Sequence, residues 1–234
     1  MNVNLFKRYL IGFVLCPLLA VFGSAAAFAE EPDAPSMMRP IDDMYFDVDE
    51  SAWYFEALDY CWNQHIFVFN DSDYFNPNEN MTRGNVIISL GLAAEHSEAL
   101  NVDMDSYKSC SFTDVLDLDL DDTNEQNTEK YFAWAETEKI AAGYGDGTFG
   151  INDPLTREQM AVILNNYMEY LGIGFNAEKS FIDDESISSW AKNAVSKLSG
   201  ANVIAGFPDG SFEPKKALTK AESAQLLFNF INSI

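Results

Sequence analysis

One ten-residue landmark occurs three times in this chain, and a chain that repeats itself has to fold by packing its copies against one another. The copies read Phe75-Asn76-Pro77-Asn78-Glu79-Asn80-Met81-Thr82-Arg83-Gly84, Phe149-Gly150-Ile151-Asn152-Asp153-Pro154-Leu155-Thr156-Arg157-Glu158 and Phe212-Glu213-Pro214-Lys215-Lys216-Ala217-Leu218-Thr219-Lys220-Ala221. In each, a Phe stands seven residues before a Thr, and a basic residue follows that Thr. Sixteen residues upstream of the Thr lie Ile66, Ile140 and Val203; twenty-nine upstream lie Trp53, Asn127 and Trp190. The repeats open at Phe46-Asp47-Val48, Phe112-Thr113-Asp114-Val115 and Phe181-Ile182-Asp183. A unit of ~50 residues buries too little apolar surface to stand alone, so the copies should share one core.

Each repeat reads as helix, loop, helix. The landmark threonines are N-cap candidates, because a threonine hydroxyl accepts from an unpaired amide in the first turn. Gln159 and Glu222 stand three residues after Thr156 and Thr219 and complete capping boxes; Asn85 is a weaker partner for Thr82. Apolar residues then recur at helical spacing, as in Met160, Ile163, Leu164, Tyr167, Met168 and Leu171. A first helix precedes each loop, at about 53–64, 128–139 and 188–200. The fold expected is all-α: three helix-loop-helix repeats, at 45–100, 111–172 and 180–234, packed together. Extra polar residues near 97–110, and around Asp117, Asp119, Asp121, Asp122 and Glu125, read as surface insertions.

The chain begins with the pattern of an export signal. Lys7 and Arg8 precede an apolar stretch interrupted at Pro17, and Ala27 and Ala29 fit a signal peptidase pocket, so cleavage is expected after Ala29. The apolar run is short for a membrane span, so no membrane insertion is expected once residues 1–29 are removed. Residues 30–44, with Pro32, Pro35 and Pro40, read as a flexible leader. Cys16 leaves with the signal; Cys61 and Cys110 remain, either as a disulfide or as two separate thiols.

Charge and chemistry exclude several functions. The net charge is −23, and the signal takes two basic and no acidic residues with it. A surface this acidic has no use for nucleic acid or anionic lipid. His65 and His96 lie far apart in sequence, and no catalytic or phosphate-binding motif is present, so an enzyme is not expected. The Asp117–Asp122 run lacks the glycine and terminal Glu of a helix–loop–helix calcium site. No metal or cofactor is called for.

The repeats resemble S-layer homology domains. That family opens each repeat with Phe-x-Asp-Val, continues with a Trp-containing helix and Gly-Tyr/Phe-x-Asp-Gly-x-Phe, and then heads a second helix with Thr-Arg-Ala-Glu. The second repeat matches with Gly143-Tyr144-Gly145-Asp146-Gly147-Thr148-Phe149 and Thr156-Arg157-Glu158-Gln159. The third matches with Trp190, Gly206-Phe207-Pro208-Asp209-Gly210-Ser211-Phe212 and Thr219-Lys220-Ala221-Glu222. The first keeps Trp53 and Thr82-Arg83 but replaces the glycine loop by Phe69-Asn70-Asp71-Ser72-Asp73. The resemblance covers about residues 46–234. It implies that the three repeats pack as a pseudo-threefold unit, and that this unit is a secreted module that anchors proteins non-covalently to the bacterial cell surface, with inter-repeat grooves that bind a wall-linked polysaccharide, often one bearing a pyruvate ketal.

The residues carried over are Arg83, Arg157 and Lys220 with their caps Thr82, Thr156 and Thr219, the groove residues Trp53, Trp190, Gly143 and Gly206, and the loop acids Asp146 and Asp209. A cation on the first turn opposes the helix dipole, and an anion bound at free amides there would relieve the conflict. Lys220 lacks the planar fork of an arginine, so at most one or two competent grooves are expected, with Arg157 the leading residue. Three other partners fit the sequence: peptidoglycan itself, peptidoglycan carrying polyamines, which suits an acidic surface, and another protein of a surface layer.

Overall fold

A computed structural model describes residues 40–69, 72–97, 102–116, 128–176 and 178–234. The signal sequence, most of the leader, the Asp117–Glu125 stretch and Asn127 lie outside the described residues. Eight α-helices are present, with no named strand among the described residues: α1 Ile41–Met44, α2 Phe55–Asn63, α3 Arg83–His96, α4 Thr113–Leu116, α5 Glu129–Thr137, α6 Arg157–Tyr170, α7 Lys192–Gly200 and α8 Lys220–Ile231. The all-α expectation holds, and α2, α5 and α7 are the first helices of the three repeats.

The second helices start where the threonines stand. Thr82 Oγ1 accepts from the Asn85 amide at 3.1 Å, Thr156 from Gln159 at 3.4 Å and Thr219 from Glu222 at 3.1 Å. Gln159 and Glu222 close their boxes by accepting from the Thr156 and Thr219 amides at 3.0 Å each. The first helices end on His65, Lys139 and Asn202, all left-handed at φ 53°, 61° and 59°.

The closest helix pairs do not come from within a repeat. α3 packs on α5, α6 on α7, and α8 returns to α2. Each pair therefore joins neighbouring repeats, and the last joins repeat 3 to repeat 1 and closes the ring. The residue before each capping threonine ties the centre: the Met81 amide donates to Leu218 O, Leu218 to Leu155 O and Leu155 to Met81 O, each at 2.8 Å. All three side chains are buried. A hydrogen-bonded cycle of equivalent residues makes the arrangement pseudo-threefold.

The α3–α5 contact depends on Gly91, where a Cβ would lie 2.3 Å from the Tyr131 ring. Beside it Glu95 accepts from Lys130 Nζ and from Tyr131 Oη, both at 2.5 Å. Gly91→Ala is therefore expected to force these helices apart and lower stability by about 1–3 kcal/mol, as overpacked cores do; thermal denaturation checks this.

Two sequence expectations change, and the open question of the cysteines closes. The buried aromatic that opens repeat 1 is Tyr45 and not Phe46. Tyr45, Phe112 and Phe181 are buried, whereas Phe46 is among the most exposed apolar residues and matches Thr113 and Ile182. The backbone confirms this register, since the amides of Phe46, Thr113 and Ile182 each donate to the loop, at Asp73, Gly147 and Gly210. The ordered fold also reaches into the expected leader, because Ile41 is fully buried and α1 packs on α2. Cys61 and Cys110 are separate thiols. Cys61 is buried in α2 with its Sγ 3.9 Å from Ala224 O, and burial pushes its thiol up to about 12.

Candidate functional site: the grooves between repeats

Each capping threonine heads a helix that runs into the loop of the next repeat. The first two amides of α3 donate to Asp153 O and Ile151 O, those of α6 to Lys216 O and Pro214 O, and those of α8 to Glu79 O and Pro77 O. With the third amide taken by the threonine, the first three amides of each helix are already paired. The expectation of free amides beside a guanidinium is corrected: the next repeat supplies the acceptors.

The basic residues serve the same junctions. Arg83 donates from Nε to Phe149 O and from Nη2 to Ala142 O, both at 3.0 Å. Arg157 donates from Nε to Phe212 O at 2.7 Å and from Nη2 to Ala205 O at 2.6 Å. Each guanidinium lies between two rings, Tyr144 and Phe149 for Arg83, Phe207 and Phe212 for Arg157, at 4.6–4.8 Å from the centroids. Arg83 is 6% exposed and Arg157 5%. Burial pulls both below the ordinary arginine value; Tyr144, Asp153 and Asp114 oppose this at Arg83, and Glu222, Glu213 and Asp183 at Arg157. Lys220 makes the reduced version: its Nζ reaches Phe75 O at 3.3 Å and Glu79 Oε2 at 2.5 Å.

Gly143 and Gly206 hold the loops closed. A Cβ at Gly143 would meet Thr148 O at 2.3 Å and the Phe112 ring at 2.7 Å; at Gly206 it would meet the Phe181 ring at 2.3 Å. In repeat 1 the same position is Phe69, which packs on Tyr45, at 6.1 Å between ring centroids. Asp146 and Asp209 brace their own turns, accepting from the amides and hydroxyls of Thr148 and Ser211 at 2.7–2.9 Å. Trp53 and Trp190 are 64% and 57% exposed. Trp53 stands edge-on to Tyr54, and Trp190 carries Lys215 Nζ over its ring at 5.9 Å.

Sequence reasoning missed the aspartates that open the repeats. Asp47 accepts from the Phe75 and Asn76 amides at 2.7 Å, Asp183 from those of Phe212 and Glu213 at 2.8 Å, and Asp114 from Phe149, Gly150 and Ile151 at 2.7, 2.7 and 3.2 Å. The signal was available, since the same acid recurs in all three openers. Burial alone would raise the Asp114 carboxyl, but these amides outweigh it and hold it below the usual carboxylate range. A carboxyl lowered by folding stabilises above its unfolded value, near ~3.9, and that stability disappears as pH falls through the folded value. Asp114→Ala is expected to cost about 2–3 kcal/mol at neutral pH, by leaving amides unpaired, and to flatten the loss of stability below about pH 4; urea melts across pH check both.

A cavity of about 600 Å³ lies on repeat 1, beside its junction with repeat 3, lined by Asp47, Asn76, Pro77, Asn78 and Glu79. Pro77 and Glu79 are the residues whose carbonyls receive the α8 amides. The two histidines, distant in sequence, come together at 6.3 Å between ring centroids. No group of three or more His, Cys, Asp or Glu suited to a metal ion occurs among the described residues.

A closed ring of helix-pair repeats, with a basic residue bonded to a carbonyl of the next repeat at each junction and an exposed tryptophan in the first and third repeats, defines a repeat-built module. The S-layer homology domain model matches residues 45–86, 121–161 and 180–224, together just over half of the sequence. The chain belongs to the S-layer homology domain family. It is 26% identical over 237 residues to an endoglucanase of Bacillus sp. (strain KSM-635), covering 97% of this chain and 22% of that protein. To an S-layer protein of Bacillus thuringiensis subsp. finitimus it is 25% identical over 229 residues, covering 97% and 24%. To a cellulosome-anchoring protein of Acetivibrio thermocellus it is 28% identical over 162 residues, covering 65% and 32%. The chain thus spans less than a third of the length of these relatives.

Proposed function

We propose that this chain is a non-catalytic anchoring module that holds itself, and whatever it is joined to, on the bacterial cell surface by binding a wall-linked polysaccharide in an inter-repeat groove. The observation that carries the reading is the junction of repeat 3 with repeat 1. There the cavity is lined by Asn76 and Asn78 among others, a residue type whose amide side chain can donate to and accept from sugar hydroxyls. Asn78 stands where repeat 3 has Lys215, the neighbour of Trp190, and this equivalence supports Trp53 as an apolar face offered to a sugar ring near the cavity. Membership of the family, and relatives described as an S-layer protein and a cellulosome-anchoring protein, support the surface location.

Arg83, Arg157 and their threonine caps act in this reading as staples that set the groove walls. A pyruvate-type carboxylate meets few available donors on them, because Nε and Nη2 of each arginine are committed to carbonyls. Fluorescently labelled protein should bind sacculi of its host and be displaced by the soluble polysaccharide released from them. Displacement by spermidine and not by polysaccharide would favour polyamine-bearing peptidoglycan, and capture of a protein without wall binding would favour a surface-layer partner.

A further inference from the structure

The three junctions also differ at the second residue of the second helix. It is Gly84 in α3, Glu158 in α6 and Ala221 in α8. Gly84 leaves no space at its junction, since a Cβ there would meet Ile151 O at 2.8 Å. Glu158 does something different. It is 3% exposed, and its carboxylate reaches into repeat 3. One oxygen accepts from the Ser188 amide at 3.0 Å; the other accepts from the Ser188 hydroxyl at 3.1 Å and from Lys215 Nζ. Lys215 also donates to Ser188 Oγ at 2.5 Å and lies over the exposed face of Trp190. An amide, a hydroxyl and an ammonium converging beside an indole face form a donor set for an acid carried on an apolar ring.

The same serine pair recurs in repeat 1 and again holds a carboxylate. Ser51 donates from its amide and its hydroxyl to Asp49 Oδ1 at 2.7 and 2.5 Å. There the acid comes from the repeat itself, and α8 contributes only Ala221.

We propose that Glu158 is an internal ligand. Its carboxylate fills a monocarboxylate site built by Ser188, Lys215 and Trp190 of repeat 3, and so keeps the groove between repeats 2 and 3 closed to acidic sugars. This rests on the groove-binding reading above and assigns the open groove to the junction of repeat 3 with repeat 1. Tethering gives Glu158 a high effective concentration, so a free carboxylate does not compete with it in the native chain.

The test uses the fit of a small acid. Glu158→Ala removes a CH₂–COO⁻ group, which has the heavy atoms of acetate. The expected result is a lowered Tm that sodium acetate restores and sodium chloride at equal ionic strength does not, while the native chain ignores acetate. Adding Lys215→Met should abolish the rescue, and the acetate-dependent change in tryptophan fluorescence should vanish with Trp190→Phe. Equal effects of acetate and chloride would overturn the proposal. If Glu158→Ala is unfolded in chloride, circular dichroism follows the same titration, and a chain that stays unfolded in acetate overturns it equally. None of this needs wall material, so it stands or falls apart from the anchoring reading. With sacculi, Glu158→Ala should gain affinity several-fold by engaging a second groove; unchanged affinity despite acetate rescue would overturn the closure.

Discussion

Arg157→Ala should unfold far more easily than the native chain, with a loss of about 3–5 kcal/mol. The carbonyls of Phe212 and Ala205 would lose their donors, and the space between Phe207 and Phe212 would empty. A buried acceptor left unpaired costs about 1–3 kcal/mol, as the Phe212 carbonyl would be, and emptying the space between the two rings adds a cavity cost. For a chain of this size the fall in Tm is roughly 10 °C. Arg157→Lys should lose less, because Lys220 shows what a lysine does in this place: it keeps one carbonyl bond, to Phe75 O, and adds an ion pair with Glu79. Calorimetry of the three proteins checks the order. A native-like Tm for Arg157→Ala would mean that the arginine is not a staple. Any loss of wall binding by this variant has to be read beside its melting curve.

Trp53→Ala should do the opposite, abolishing binding while leaving the fold intact. The indole is 64% exposed and stands edge-on to Tyr54, so truncation should change stability by no more than about 0.5 kcal/mol. In the proposed function it is the large apolar face on which a sugar ring would stack, and such anchors cost about 2 kcal/mol or more when removed, close to a 30-fold loss of affinity. Trp190→Ala is the internal control. Its groove is filled by Glu158, so the expected change in wall binding is within twofold. Equal losses from both variants would mean that the two grooves share the ligand.

The parts of this structure written in local periodicity were legible in the sequence. Thr82, Thr156 and Thr219 cap the helices expected of them, because a cap depends on residues three apart. The glycines of the second and third loops also announce themselves, since only a missing Cβ lets Phe112 and Phe181 lie against Gly143 and Gly206. What depends on a neighbouring repeat was not legible. Nothing in the order of helices says that α8 packs on α2, and nothing local to Arg157 says that its charge turns inward to Ala205 O. A basic residue after a cap reads as a surface charge until the acceptors from the next repeat are known. Tyr45 was missed as the opener of repeat 1 because Phe46 matches the residue type and Tyr45 matches the register. His65, Lys139 and Asn202 gave no glycine to mark a left-handed helix end, yet all three adopt one.

The central claim is that the module binds the wall through its secondary polysaccharide. Purified protein should co-sediment with protein-free sacculi of its own host, and lose that binding after hydrofluoric acid strips the secondary polymers. Binding that survives the acid would move the ligand to peptidoglycan, and absence of binding to either preparation would contradict the account.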